Sequence, residues 1–166
     1  MSGLFSNLTN QPPLHLNDMA TIMLTEYRDY FEQIVMESDG ISTATMVNTD
    51  KEMSNAIRRM KADEFPALFV VVPAAEDSTK SPDDIAEKML CIVFLLDRSD
   101  AQRRRPFTVL TETQRLIEQV KTAMRRDASR PCHFMSGLSQ LNTNPETGLY
   151  DDYSGWSITF NILVHG

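Results

Sequence analysis

Phe65-Pro-Ala-Leu-Phe-Val-Val-Val-Pro73 and Lys88-Met-Leu-Cys-Ile-Val-Phe-Leu-Leu-Asp97 decide how this chain folds. Each is an apolar run of strand length, rich in Val, Ile, Leu and Phe, and each is stopped by proline or charge. They predict two antiparallel neighbours, Ala67–Val72 and Lys88–Asp97. Between them Ala74–Asp84, rich in Ser, Thr, Pro and acid, reads as an exposed connection. Neither run alternates apolar with polar residues. Both faces of the pair therefore need cover, because a bare apolar face would be a sticky patch.

The flanking segments offer that cover. Upstream, Met23, Tyr27, Tyr30, Phe31, Ile34 and Val35 recur at helical spacing, predicting a helix from Asn17 or Asp18 that ends before Gly40. Ser42–Val47 reads as a short strand or an extended loop. Thr49-Asp-Lys-Glu52 has the capping-box pattern, and Met53, Ala56, Ile57 and Met60 share one face, which predicts a short helix over Asp50–Lys61. Downstream, Pro106 favours a helical first turn. Val109, Thr113, Leu116, Ile117, Val120 and Met124 form the inner stripe of a long helix that Ser129–Pro131 ends.

After that helix, His133–Leu141 reads as a strand and Asn142–Tyr153 as a turn-rich loop with Pro145 and Gly148. Trp156, Ile158, Phe160, Ile162 and Val164 then alternate with Ser157, Thr159, Asn161, Leu163 and His165, the pattern of a half-buried closing strand. Helices and strands are intermixed without βαβ regularity. The expected fold is α+β: a mostly antiparallel four-stranded sheet packed by two long helices, plus a short helix and an extended N-terminal arm. Residues 1–16 read as the flexible arm, with apolar side chains able to dock on a neighbour, and 17–166 as a single domain. The two long helices cover one face of the sheet. The other falls to the short helix or to a second subunit.

The 166 residues carry 16 Lys+Arg against 23 Asp+Glu, a net charge of −7, which argues against a broad nucleic-acid-binding surface. Met1–Pro13 has no cation and no long apolar run, so no secretory signal is expected, and no stretch approaches a membrane-spanning length. The 2 cysteines are too few for a disulfide scaffold. Cys91 reads as a small buried hydrophobe and Cys132 as a loop residue. A soluble protein of a reducing compartment is the expectation.

Motifs for chemistry are sparse. His15, His133 and His165 are far apart, and Cys132-His133 lacks the second ligand pair of a zinc site. Glu76, Asp77, Asp83, Asp84 and Glu87 cluster without the calcium-loop pattern and read as solvated charge, as do Glu146 and Asp151-Asp152. Glycine-rich phosphate loops, nucleophile elbows and HExxH are missing. No cofactor, metal or catalytic residue is expected, and the chain does not read as an enzyme. Arg103-Arg104-Arg105 before Pro106 is the sharpest charge feature, better suited to acids of a neighbouring subunit than to DNA.

The "FPALFVVVP" strand of Phe65–Pro73, the second apolar strand, the long helix, and the closing strand opened by Tyr153-Ser-Gly-Trp156 stand in a telling order. This order, from Asn17 to Val164, resembles the tail terminator and tail-completion proteins of long-tailed bacteriophages and phage-like contractile systems. The resemblance implies a virion structural protein of the tail or neck, assembled in the host cytoplasm. It implies a homo-oligomeric ring, commonly a hexamer, that caps the tail tube and sheath and joins them to the head connector, with DNA only as passing cargo and no membrane. The arginine triplet departs from the pattern of that family; on their own chemistry Arg103, Arg104 and Arg105, with Trp156, are candidates for the subunit interface. Glu76, Asp77, Asp83, Asp84, Asp151 and Asp152 are candidates to line the lumen or meet the tube. Two readings compete with it. One is a small dimeric α+β ligand-binding or regulatory domain, and the other an enzyme centred on Cys132, His133 and the acids of the late loop.

Overall fold

Both apolar runs are strands in the computed structural model, which describes residues 22–165. The elements are α1 (Leu24–Glu37), β1 (Thr43–Val47), α2 (Asp50–Arg59), β2 (Ala67–Val71), β3 (Ala74–Asp77), β4 (Ala86–Arg98), α3 (Pro106–Ala128), β5 (Leu138–Leu149) and β6 (Tyr153–His165). Short 3-10 turns sit at Ala62–Glu64 and Phe134–Gly137. The expected arm, residues 1–16, and the expected helix start at Asn17 or Asp18 lie outside the described residues.

The class is α+β, but the sheet has six strands rather than four and is mixed rather than antiparallel throughout. Its order is β1-β2-β4-β6-β5, with β3 paired to β4. The expected hairpin partners do pair, with Leu68 opposite Leu95 and Phe69 opposite Phe94. Three differences have physical reasons. β1, read as strand or loop, lies parallel to β2 because α2 serves as the crossover that parallel neighbours need. β3 falls inside the expected connection; its four residues are all exposed, so no apolar pattern marks it. β5 continues through the expected loop to Leu149. It is an edge strand, where Pro145 costs no ladder bond and polar side chains can stay wet.

Local chemistry holds the helices in place. The Thr49 hydroxyl accepts the Glu52 N–H at 3.1 Å, and the Glu52 carboxylate accepts the Asn48 N–H at 2.6 Å, so two N–H groups at the start of α2 are satisfied. Arg58 and Arg59 close the same helix against its dipole. Pro106 occupies the first turn of α3, whose buried residues include the whole expected stripe from Val109 to Met124.

The two faces of the sheet are packed separately. Toward α1 and α3, β4 presents Met89, Cys91, Val93 and Leu95, and β6 presents Ile158, Phe160 and Ile162, in one cluster with Tyr27, Phe31, Ile117 and Met124. Burial pushes the Cys91 thiol up to about 11, as befits a small core residue rather than a nucleophile. On the opposite face α2 supplies Met53 and Ile57 to a smaller cluster with Val47, Phe65, Phe69, Leu96 and Tyr153. The short helix thus covers part of the second face, as one of the two expected alternatives had it. Leu90 and Ile92 belong to neither cluster and stay partly exposed.

Gly155 shows how closely β6 is pressed to its neighbour. A Cβ there would lie 1.9 Å from the Leu95 carbonyl oxygen, so only glycine fits the Tyr153-Ser-Gly-Trp156 opening of the strand.

Candidate functional site at the two ends of one long strand

β4 has 13 residues. At ~3.3 Å per residue it spans about 40 Å and separates two charged ends. The Arg103-Arg104-Arg105 loop follows it directly, and the acidic Glu76–Asp84 segment precedes it.

At the arginine end, Asp100 organises the loop. Its carboxylate accepts the Arg103 N–H and, at 2.8 Å, the Gln102 N–H; these bonds hold it below the usual aspartate range. The three arginines then part ways. Arg104 turns inward: its guanidinium lies 2.9 Å from Asp97 and 2.6 Å from Glu112, and donates to the Arg98 carbonyl at 3.1 Å. Asp97 is only 7 % exposed, so this pair is a structural tie between β4 and α3. Arg103 and Arg105 are exposed, with no ion pair among the described residues. Phe107, two residues on, is 75 % exposed. Trp156 is partly buried, packs against the larger cluster and donates its indole N–H to the Leu110 carbonyl at 3.2 Å, tying β6 to α3.

Asp151 and Asp152 lie at this same end, in the turn between β5 and β6. Tyr150 and Asp151 take left-handed φ values of 50° and 72°. The turn is pinned by Ser99, whose N–H donates to the Asp152 carbonyl at 2.6 Å, and by Tyr150, whose hydroxyl donates to Asp50. Burial and the Asp50 carboxylate push Tyr150 up to about 12.

Glu76, Asp77, Asp83 and Asp84 gather at the other end. The Thr79 hydroxyl and N–H bond Asp77, with the N–H at 2.8 Å, and hold its carboxyl below the usual range. Asp84 lies 3.6 Å from His165. Glu76 stands opposite Lys88, and Lys88 opposite Leu163, so the three share the second face. Ile85 is 51 % and Leu163 39 % exposed beside these acids. The six candidate acids therefore form two groups at opposite ends of the sheet.

A third constellation surrounds Asp127, a buried acid at the end of α3. Burial works to raise its carboxyl, but bonds from Arg126 at 3.1 Å and the Tyr30 hydroxyl at 2.9 Å outweigh it and hold it below the usual aspartate value. Tyr30 is pushed well up in turn, by burial first and by that bond second. His133 packs edge-on against Tyr30 and spends its Nδ1 accepting the Met135 N–H at 3.1 Å, capping a 3-10 turn. Cys132 is free and exposed. These residues join α1, α3 and the turn before β5. A groove of about 540 Å³ nearby, between α1 and α3, is lined by Glu37, Asp39, Arg115, Glu118, Gln119 and Arg126. Its polar groups largely answer one another: Arg115 donates to the Asp39 carbonyl and Gln119 accepts the Asp39 N–H.

Sequence reasoning missed Asp97, Glu112, Asp127 and Phe107. For Phe107 a signal existed: it falls on the outer side of the stripe that starts at Val109. The partners of Arg104 had none, since they lie on two different elements. Among the described residues no group of three or more His, Cys, Asp and Glu side chains could hold a metal ion, and no helix is long and apolar enough to cross a membrane. No protein-family model matches the chain, and no curated protein matches it in sequence.

Proposed function

We propose that this protein is a structural subunit of a homo-oligomeric ring, of the kind that terminates a phage tail tube and sheath and joins it to the head connector, and that it performs no catalysis. The observation behind this reading is the unfinished second face of the sheet. α2 covers Phe69 and Leu96, while Leu90, Ile92 and Leu163 remain outside both packed clusters. β1 adds a bare edge of five residues without charge or proline, whereas the opposite edge, β5, is broken by two register shifts and a proline. A strip and an edge of this kind are completed most simply by another copy. The α+β element order that prompted the resemblance supports the same reading.

The groove between α1 and α3 favours a second reading, a small dimeric ligand-binding or regulatory domain. Negative-stain microscopy of the purified full chain separates the two. Closed rings with a central opening support the first reading; a uniform dimer supports the second, and a monomer at every concentration overturns both.

A further inference from the structure

We infer that successive copies dock head to tail, with Phe107 of one copy seated against Ile85 and Leu163 of the next. In this contact Arg103 and Arg105 meet Glu76, Asp83 and Asp84. The inference deepens the ring reading and depends on it for self-association, but it names the two surfaces that meet.

Phe107 is the most exposed of the three apolar side chains at the two ends, at 75 % against 51 % for Ile85 and 39 % for Leu163. An aromatic residue that open, at the first turn of a 23-residue helix, is held by the backbone and gains little from its own chain. It follows two arginines whose side chains have no ion pair among the described residues, while the arginine between them is locked to Asp97 and Glu112. Asp100 spends its carboxylate on the loop's own N–H groups and so fixes the backbone from which both arginines leave. Local balance at this end is mixed, since Asp151 and Asp152 occupy the adjacent turn. The complementarity resides in the aromatic residue and its two flanking cations, an Arg-plus-aromatic pairing typical of interface anchors.

The other end offers the converse. Ile85 and Leu163 are exposed apolar side chains; Asp83 and Asp84 directly precede Ile85, and Glu76 stands across Lys88 from Leu163, with Asp84 3.6 Å from His165 and Asp83 and Glu76 without an ion pair among the described residues. About 40 Å of β4 keeps the two ends from meeting within one chain. A two-fold contact would pair these unlike surfaces only by laying two copies antiparallel, each end against the opposite end of the other; a head-to-tail contact pairs them without that overlap, and its repetition closes into a ring or extends into a filament. Opposed charge also steers the approach of copies.

Charge reversal and its rescue test this. Mass photometry of the full chain at low salt would compare wild type with R103E/R105E, with D83R/D84R, and with all four changes in one chain. Arg103, Arg105 and Asp83 are exposed and Asp84 is partly so, and circular dichroism checks that each variant is folded. We expect each double variant to raise the dissociation constant at least tenfold and the quadruple variant to recover most of it. Phe107→Ser, with no charge change, should weaken assembly by a similar factor. Assembly unchanged in both double variants and in Phe107→Ser would overturn the interface while leaving the ring reading intact. Failure of the folded quadruple variant to recover would overturn the pairing of these charges. A monomeric wild type would sink the ring reading itself.

Discussion

On one face of β4, Met89, Cys91, Val93 and Leu95 lie beneath two helices of 14 and 23 residues. On the other, Phe94 and Leu96 meet a helix of 10, and Leu90 and Ile92 belong to no packed cluster. The same strand thus has one finished face and one half-finished face. Burial of apolar area is the main force that holds a domain together, so the first face is where stability resides and the second is where surface is left for other work.

The largest effect that breaks this comparison should come from Gly155. A side chain there collides with the Leu95 carbonyl and pushes β6 off β4, which disturbs both faces together. Gly155→Val should cost on the order of 4 kcal/mol, above the usual range for overpacking because the obstacle is backbone. Urea denaturation reads this directly, and an unchanged midpoint would contradict the packing described.

The next effect separates the faces. Leu95→Ala, on the finished face, should cost about 3 kcal/mol. Leu90→Ala, on the partly exposed strip, should cost less than about 1 kcal/mol in dilute protein, because little area is lost from the single chain. Equal losses from the same denaturation series would erase the distinction between the faces.

Asp127 sharpens the comparison through pH, since it ties α1 and α3 together over the finished face. Its carboxyl is held below the ordinary value, so its stabilising effect is complete above the unfolded aspartate value of about 4 and is lost as pH falls through the lower folded value. Asp127→Asn should cost about 2 kcal/mol at neutral pH, and the gap to wild type should shrink in acid. A gap constant from pH 7 to pH 2.5 in thermal melts would contradict the assignment.

The smallest effect concerns the helix over the second face. Thr49→Ala removes the cap of α2 and should cost about 1 kcal/mol.

Much of this architecture is legible in the sequence where burial and periodicity coincide. The apolar runs gave away β2 and β4, the capping residues gave α2, and the stripe from Val109 to Met124 gave α3 with its inward face. The misses share one cause. β3 and the second half of β5 are strands whose side chains face water, so their hydrogen bonds leave no apolar trace: Asn142, Asn144 and Glu146 read as loop residues until Thr159, Ser157 and Gly155 are seen opposite them. Charged residues are harder still. The triplet Arg103-Arg104-Arg105 was visible as a unit, but its division into one internal tie and two outward cations depends on Asp97 and Glu112, whose approach only the fold brings about. Asp127 was invisible as a buried group because it sits among exposed cations at the end of a helix.

Hydrogen–deuterium exchange of the full chain, at dilute and at concentrated protein, tests the central claim most directly. If the second face and the two ends of β4 are where copies meet, concentration should slow exchange in the β3–β4 connection, in residues 99–107 and along β1, and leave α1 and α3 beyond its first turn unchanged. Slowing confined to α1 and the body of α3, or no dependence on concentration at all, would contradict it.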